Sequence, residues 1–141
     1  MNIQVNKIIN DPIYGFITFN EGIFLQVIDH PFFQRLSRIK QLGLTYLVYP
    51  GAHHTRFHHA LGATYLMKQA LQTLKEQGKD ISPEEETGVL LAILLHDIGH
   101  GPFSHALENS FVKFIKRSVS PDIAERTATT LYFVDHLEII E

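Results

Sequence analysis

The sequence predicts a mostly α-helical domain with a small N-terminal β hairpin. Three observations predict it. The 141 residues are 45% hydrophobic, 11% aromatic and 19% charged, which suits one buried core and excludes a disordered chain. Alternating β-prone residues pair up only before Asn20. Beyond that point, prolines and capping residues divide the chain into segments of helical length.

The elements follow in order. Ile3, Val5 and Ile8 form an alternating run, Asp11-Pro12-Ile13-Tyr14-Gly15 supplies turn chemistry, and Phe16-Ile17-Thr18-Phe19 returns, making residues 1–20 a β element. A short helix fits Glu21 to Ile28. A second begins at Pro31, where the missing N–H costs nothing, and runs to near Gly43. Pro50-Gly51 breaks the chain, after which Thr55 caps a long helix reaching about Gln77 and stopped by Gly78. Ser82-Pro83-Glu84-Glu85 is a capping box with proline at the first helical position. The last turns of that helix, Val89 to Leu95, are apolar all round, so burial is expected on every side. Gly99-His100-Gly101-Pro102 ends it. Ser104 caps a further segment to about Arg117, completing a helical core over 21–117, and Ser120-Pro121-Asp122 starts a last helix in 118–141. With no repeat or long linker, residues 1–141 read as one domain.

Composition narrows the chemistry. No cysteine occurs, which excludes disulfides, thiolate zinc knuckles and cysteine nucleophiles. Twelve Lys and Arg against 15 Asp and Glu give a net charge of -3, so a nucleic-acid partner is not expected. The first residues lack a signal-peptide pattern and the longest apolar run, Val89 to Leu95, is too short to span a bilayer; no membrane partner and a cytoplasmic location are expected. Seven of the nine histidines lie between His53 and His105, and function is sought there.

Helical phase separates two of them. Ala63, Leu66, Met67, Ala70, Leu71 and Leu74 define an apolar face of the long helix. His59 sits at its edge, whereas His58 aligns with Tyr65, Gln69 and Gln72 on the polar side. One inward histidine is more often a satisfied core residue than a ligand. His96-Asp97, at the end of an apolar helix, is more telling, because a desolvated carboxylate needs a cation. A metal ion bound by imidazole and carboxylate answers that need, and so does an ion pair with a nearby histidine or with Arg56. His100 and His105, across a glycine-rich turn, are placed to donate hydrogen bonds or protons to a substrate phosphate; a solvated histidine loop is the rival reading. Arg56, at a helix N-terminus, can receive phosphate or be a plain surface arginine.

These residues resemble the HD-domain metal-dependent phosphohydrolases, specifically the dNTP triphosphohydrolase branch. The resemblance covers roughly 11–108 in ordered blocks: Asp11-Pro12-Ile13-Tyr14-Gly15, Pro31-Phe32-Phe33-Gln34-Arg35-Leu36, Ile39-Lys40-Gln41-Leu42-Gly43, Tyr49-Pro50-Gly51-Ala52, Arg56-Phe57-His58-His59-Ala60-Leu61-Gly62 and the run from His96 to His105. It implies an HD-domain helical bundle, a divalent metal ion (Mn, Mg, Fe or Zn) and hydrolysis of a deoxynucleoside triphosphate to deoxynucleoside and triphosphate, water attacking the α-phosphorus. It implies His59, His96 and Asp97 as metal ligands, Arg56 on substrate phosphate, and Gln41 and Leu42 near sugar and base. His100 and His105 would line the reacting phosphates, with Glu108 orienting His105.

The family's fourth ligand, an Asp, normally lies far beyond these blocks. Only Asp122 and Asp135 follow here, and neither matches its motif, so a fragment or a diverged C-terminal region with weak metal binding and poor turnover is expected. A homo-oligomer is expected, since apolar surface on the Val89–Leu95 helix would otherwise lack cover. Two rival functions stay open: a non-catalytic HD-domain remnant that binds nucleotide or metal weakly, and an HD phosphohydrolase acting on another phosphoester.

Overall fold

The computed structural model describes residues 6–20 and 22–103. It is mostly helical with an antiparallel N-terminal hairpin. Strands β1 (Lys7–Asp11) and β2 (Gly15–Phe19) pair from Lys7 with Phe19 to Asp11 with Gly15. The turn closes because the Asp11 carboxylate accepts from the backbone N–H of Ile13 at 2.8 Å and of Tyr14 at 3.0 Å, while Gly15 takes a φ of +74°. One face of β2 is buried through Ile17 and Phe19 and the other exposes Phe16, as a period of two requires.

Helix α1 (Gly22–Asp29) buries Phe24 and Ile28. The helix expected over 31–43 is shorter: α2 spans Pro31–Gln34 and tightens into a 3-10 turn at Arg35–Arg38. The cause is tertiary. Ile39 turns extended (φ −106°, ψ 115°) so that its carbonyl accepts from Arg56 N at 2.9 Å, while Gln41 N donates to His54 O at 3.1 Å and Lys40 bridges Thr55. Those groups satisfy an orphan N–H at the start of the next helix, which continuing α2 could not do.

That helix, α3 (Arg56–Glu76), starts where Thr55 predicts, with an unexpected partner: Thr55 Oγ1 accepts from His58 N and the His58 imidazole takes the place a Glu usually fills, accepting from Thr55 N at 3.3 Å. Its buried face differs from the expected one. Arg56, Ala60, Leu61, Thr64 and Leu71 are buried, whereas Leu66 and Leu74 are exposed and Ala70 with them. The stripe is set by what packs there, since Tyr14 lies against the helix: its ring is 5.2 Å from that of Tyr65, and a Cβ on Gly62 would stand 2.9 Å from Tyr14 Cε2. His59 still turns inward and His58 stays exposed.

Helix α4 (Pro83–Leu95) opens on the expected capping box, Glu85 N donating to Ser82 Oγ and Ser82 N to Glu85 Oε2. The Ser82 backbone N–H, and then its side chain, hold the Glu85 carboxyl below the usual glutamate range. Its apolar end is not buried all round. Leu90 and Leu94 face the core, but Val89 is 38% exposed and Ala92 is exposed, because α3, the described element packed most closely on α4, covers one side of it. The core joins Ile17, Phe24, Phe33, Leu36, Leu61 and Leu94 from the hairpin and all four helices. No described helix is long and apolar enough to cross a membrane. The segments read from Ser104 and from Ser120 lie outside the described residues.

Gly43 is a point where backbone freedom is required. Its φ is +56°, and a Cβ there would sit 3.4 Å from the carbonyl carbon and oxygen of Phe103, a residue itself at φ +71°. Gly43→Ala is expected to destabilise the fold by about 1–2 kcal/mol, mainly from the left-handed backbone. Urea denaturation checks this, and an unchanged midpoint and slope would show that the contact yields freely.

Candidate metal centre

Helices α3 and α4 run antiparallel. Lys75 Nζ meets Glu86 Oε2 at 2.6 Å where one ends and the other begins, and His59 meets His96 at the opposite end. The start of α3 and the end of α4 therefore share one location, and the side chains projecting from both ends form the site.

His96 is the C-cap of α4, its side chain 10% exposed. Its Nδ1 lies 2.6 Å from the carbonyl oxygen of Ile93. A carbonyl only accepts, so Nδ1 carries a hydrogen, and the tautomer with Nδ1–H has its lone pair on Nε2. That Nε2 is 3.1 Å from Nε2 of His59, the rings crossing edge to face at 5.1 Å. Two imidazole nitrogens about 2.1 Å from one ion stand about 3.0 Å apart in cis octahedral positions and about 3.4 Å apart in tetrahedral ones. The observed spacing fits between these.

Asp97 is fully buried. Its Oδ2 lies 2.8 Å from Nη1 of Arg56, itself 1% exposed; its Oδ1 lies 3.4 Å from Nε2 of His100 and 3.6 Å from Nε2 of His96. The Arg56 contact is a close charge pair without hydrogen-bond alignment, so neither carboxylate oxygen accepts a hydrogen bond from the described residues. A desolvated carboxylate in that state demands positive charge, and one arginine supplies part of it. His59, His96 and Asp97 offer three ligand atoms within 4.8 Å of one another. An ion there would satisfy Oδ1, which accepts no hydrogen bond from the described residues, and would take the Nε2 lone pair of His96, so the residues fit a divalent cation by spacing, burial and donor type.

The other residues singled out in the sequence fall as follows. His100 is buried, 4% exposed, and faces Asp97, which removes the solvated-loop reading for it. Arg56 is a buried partner of Asp97 and not a surface arginine. Gln41 has a buried Oε1 that accepts no hydrogen bond from the described residues, and Leu42 is 45% exposed; they directly precede Gly43, where an added Cβ would stand 3.4 Å from the backbone of Phe103, beyond the histidine turn. His105 and Glu108, with Asp122 and Asp135, lie outside the described residues.

Sequence reading missed Arg35. Its Nη1 donates to His100 O at 2.9 Å and its Nη2 to Ile98 O, tying the 3-10 turn after α2 to the turn that carries His96, Asp97 and His100. Burial draws its guanidinium below the ordinary arginine value. No local signal announces a contact between residues 63 and 65 positions apart. The capping role of His58 had one, the Thr-x-x-His spacing, with imidazole nitrogen standing in for a carboxylate.

Residues 56–138 match the HD domain family, more than half the chain, and the chain belongs to that family. It is similar to the deoxynucleoside triphosphate triphosphohydrolase SAMHD1 of Gallus gallus, 42% identical over 119 residues, 83% of this chain and 19% of that protein. The Bacillus subtilis protein YwfO, uncharacterized, is 35% identical over 149 residues, 91% of this chain and 34% of its own. A phosphohydrolase structure from Bacteroides thetaiotaomicron superposes with a TM-score of 0.74 at 48% identity, covering 96% of this chain and 32% of that one. The chain thus spans about a fifth to a third of the length of these relatives.

Proposed function

We propose that this chain carries the His, His-Asp part of a metal-dependent phosphohydrolase centre that acts on deoxynucleoside triphosphates, releasing deoxynucleoside and triphosphate. One observation carries the reading: a fully buried Asp97, whose Oδ1 accepts no hydrogen bond from the described residues, offers a ligand atom within 4.8 Å of those of His59 and His96, whose Nε2 atoms are 3.1 Å apart. The name of the similar Gallus gallus protein supplies the substrate class, and the solved structure's name supplies phosphohydrolysis alone.

His59, His96 and Asp97 would hold the ion. When bound, a divalent ion lowers the pKa of a coordinated water and neutralises charge on the phosphoryl group. The remaining work belongs to the chain. The Ile93 carbonyl keeps the His96 proton on Nδ1, so that Nε2 is ready to bind without a change of tautomer. Arg56 holds Oδ2 of Asp97 and so aims Oδ1 between His96 and His100. His100 can hold a proton at Nε2 beside that oxygen and present it to a phosphate oxygen. A substrate phosphate reaching Arg56 would share the guanidinium with Asp97. Gln41, whose buried Oε1 accepts no hydrogen bond from the described residues, and Leu42 would meet sugar and base, with His105 and Glu108 completing the phosphate wall.

The test is elemental analysis of the purified protein after loading with Mn, Mg, Fe or Zn, followed by chromatographic detection of triphosphate from a dNTP panel. The expected result is bound metal near one equivalent and slow triphosphate release that His96→Ala removes. Absence of bound metal under every loading would end the proposal, and release of orthophosphate or pyrophosphate in place of triphosphate would assign a different phosphoester chemistry.

A further inference from the structure

Arg35 is anchored before it reaches anything. Phe33 and Leu36, two residues before it and one after, are both fully buried, and the side chain of Gln34 donates to Ile28 O at 2.7 Å, so the chain is held on both sides of Arg35. From that base the guanidinium spans to the carbonyls of Ile98 and His100. These lie on either side of Gly99, just past the end of α4, where carbonyl groups have no helical partner of their own. The turn's internal bonds are few: Ile98 N to Leu95 O at 2.9 Å and His100 N to Asp97 O at 3.1 Å. His96, Asp97 and His100 all hang from it. A guanidinium set against two neutral oxygens gains less than one set against a carboxylate. Arg35 forms no ion pair with any described carboxylate. What the contact fixes is therefore the shape of the turn.

We infer that Arg35 is a positioning residue for the metal centre, its planar fork locking the Ile98 and His100 carbonyls so that Asp97 and His96 are aimed at one point before any ion arrives. The inference rests on the metal-binding reading above. The fork matters as much as the charge, since two acceptors on either side of Gly99 need two donors held rigidly apart, and an ammonium is a single point on a flexible stem. The Phe32 ring, 5.1 Å from the guanidinium carbon, limits its swing from the outside.

Arg35→Lys keeps the charge and loses the fork, and exposed Arg38→Ala serves as a control. Two quantities are measured on the full chain: amide hydrogen exchange at Ile98 and His100 without metal, and Mn affinity by titration. Arg35→Lys is expected to speed exchange at those two amides by about 10-fold while α3 amides stay unchanged, and to weaken Mn binding by about 10- to 100-fold, the range found when outer supports of a metal site are removed. Arg38→Ala should match wild type in both. Unaltered Mn affinity in folded Arg35→Lys overturns the inference, whatever the exchange shows, and unaltered exchange overturns it as well. Wild-type protein that binds no Mn condemns the metal reading separately, leaving the exchange comparison to judge the hold of Arg35 on the turn. If Arg35→Lys does not fold, the Arg35 Nη protons of the wild type decide by NMR: Zn is expected to slow their exchange further, and no response overturns the inference.

Discussion

Asp97→Asn is expected to abolish metal binding and, independently, to destabilise the fold by about 3–5 kcal/mol, because it strands a buried Arg56 without its countercharge. The two effects are separable. Stability is read from urea denaturation of metal-free protein, and metal from elemental analysis under native conditions. Adding Arg56→Met to Asp97→Asn removes the stranded cation, so the double variant is expected to recover part of the lost stability while staying metal-free. A double variant whose loss equals the sum of the single losses would show that the 2.8 Å contact between Arg56 and Asp97 is not a coupled pair.

The second large effect is a contrast between neighbours. His59→Ala deletes a proposed ligand atom, and its cost to metal affinity should exceed the roughly 10- to 100-fold typical of losing an outer support. His58→Ala deletes half of a capping box on the same turn, at about 1 kcal/mol of stability, with metal affinity close to wild type. Titration with Mn or Zn on folded samples compares them. Equal loss of affinity in the two variants would mean that the first turn of α3 matters as a unit, and that the inward phase of His59 counts for nothing.

How far these features were legible depends on the reach of the interactions that make them. Thr55 and Ser82 were readable as caps because a cap is settled within four residues, and the Asp11 turn for the same reason. The direction of His59 was readable from phase. The width of the buried face was not: Leu66, Ala70 and Leu74 belong to an apolar pattern, yet burial goes where Tyr14 and α4 press, onto Ala60, Leu61 and Thr64. The helix drawn from Pro31 to Gly43 failed because Ile39 and Gln41 bond across to 54–56, a demand invisible in local propensity. The candidate ligands His59, His96 and Asp97 stood out as residue types, while their shared location depends on the start of one helix meeting the end of the other.

That meeting has a consequence at the far end of the pair. The connection over 77–82 joins α3 to α4 at the end opposite the ligands, and with 1.5 Å of rise per residue it stands about 27 Å along α3 from His59. A change of length there alters loop-closure entropy by only about 0.6 kcal/mol for each doubling and does not alter which turns of the helices face each other. The chain can therefore gain residues, or carry a fused tag, at Lys79 and Asp80, between the Gly78 turn and the packed Ile81 with its neighbour Ser82 that caps α4, while the spacing of His59, His96 and Asp97 is set at the other end of both helices.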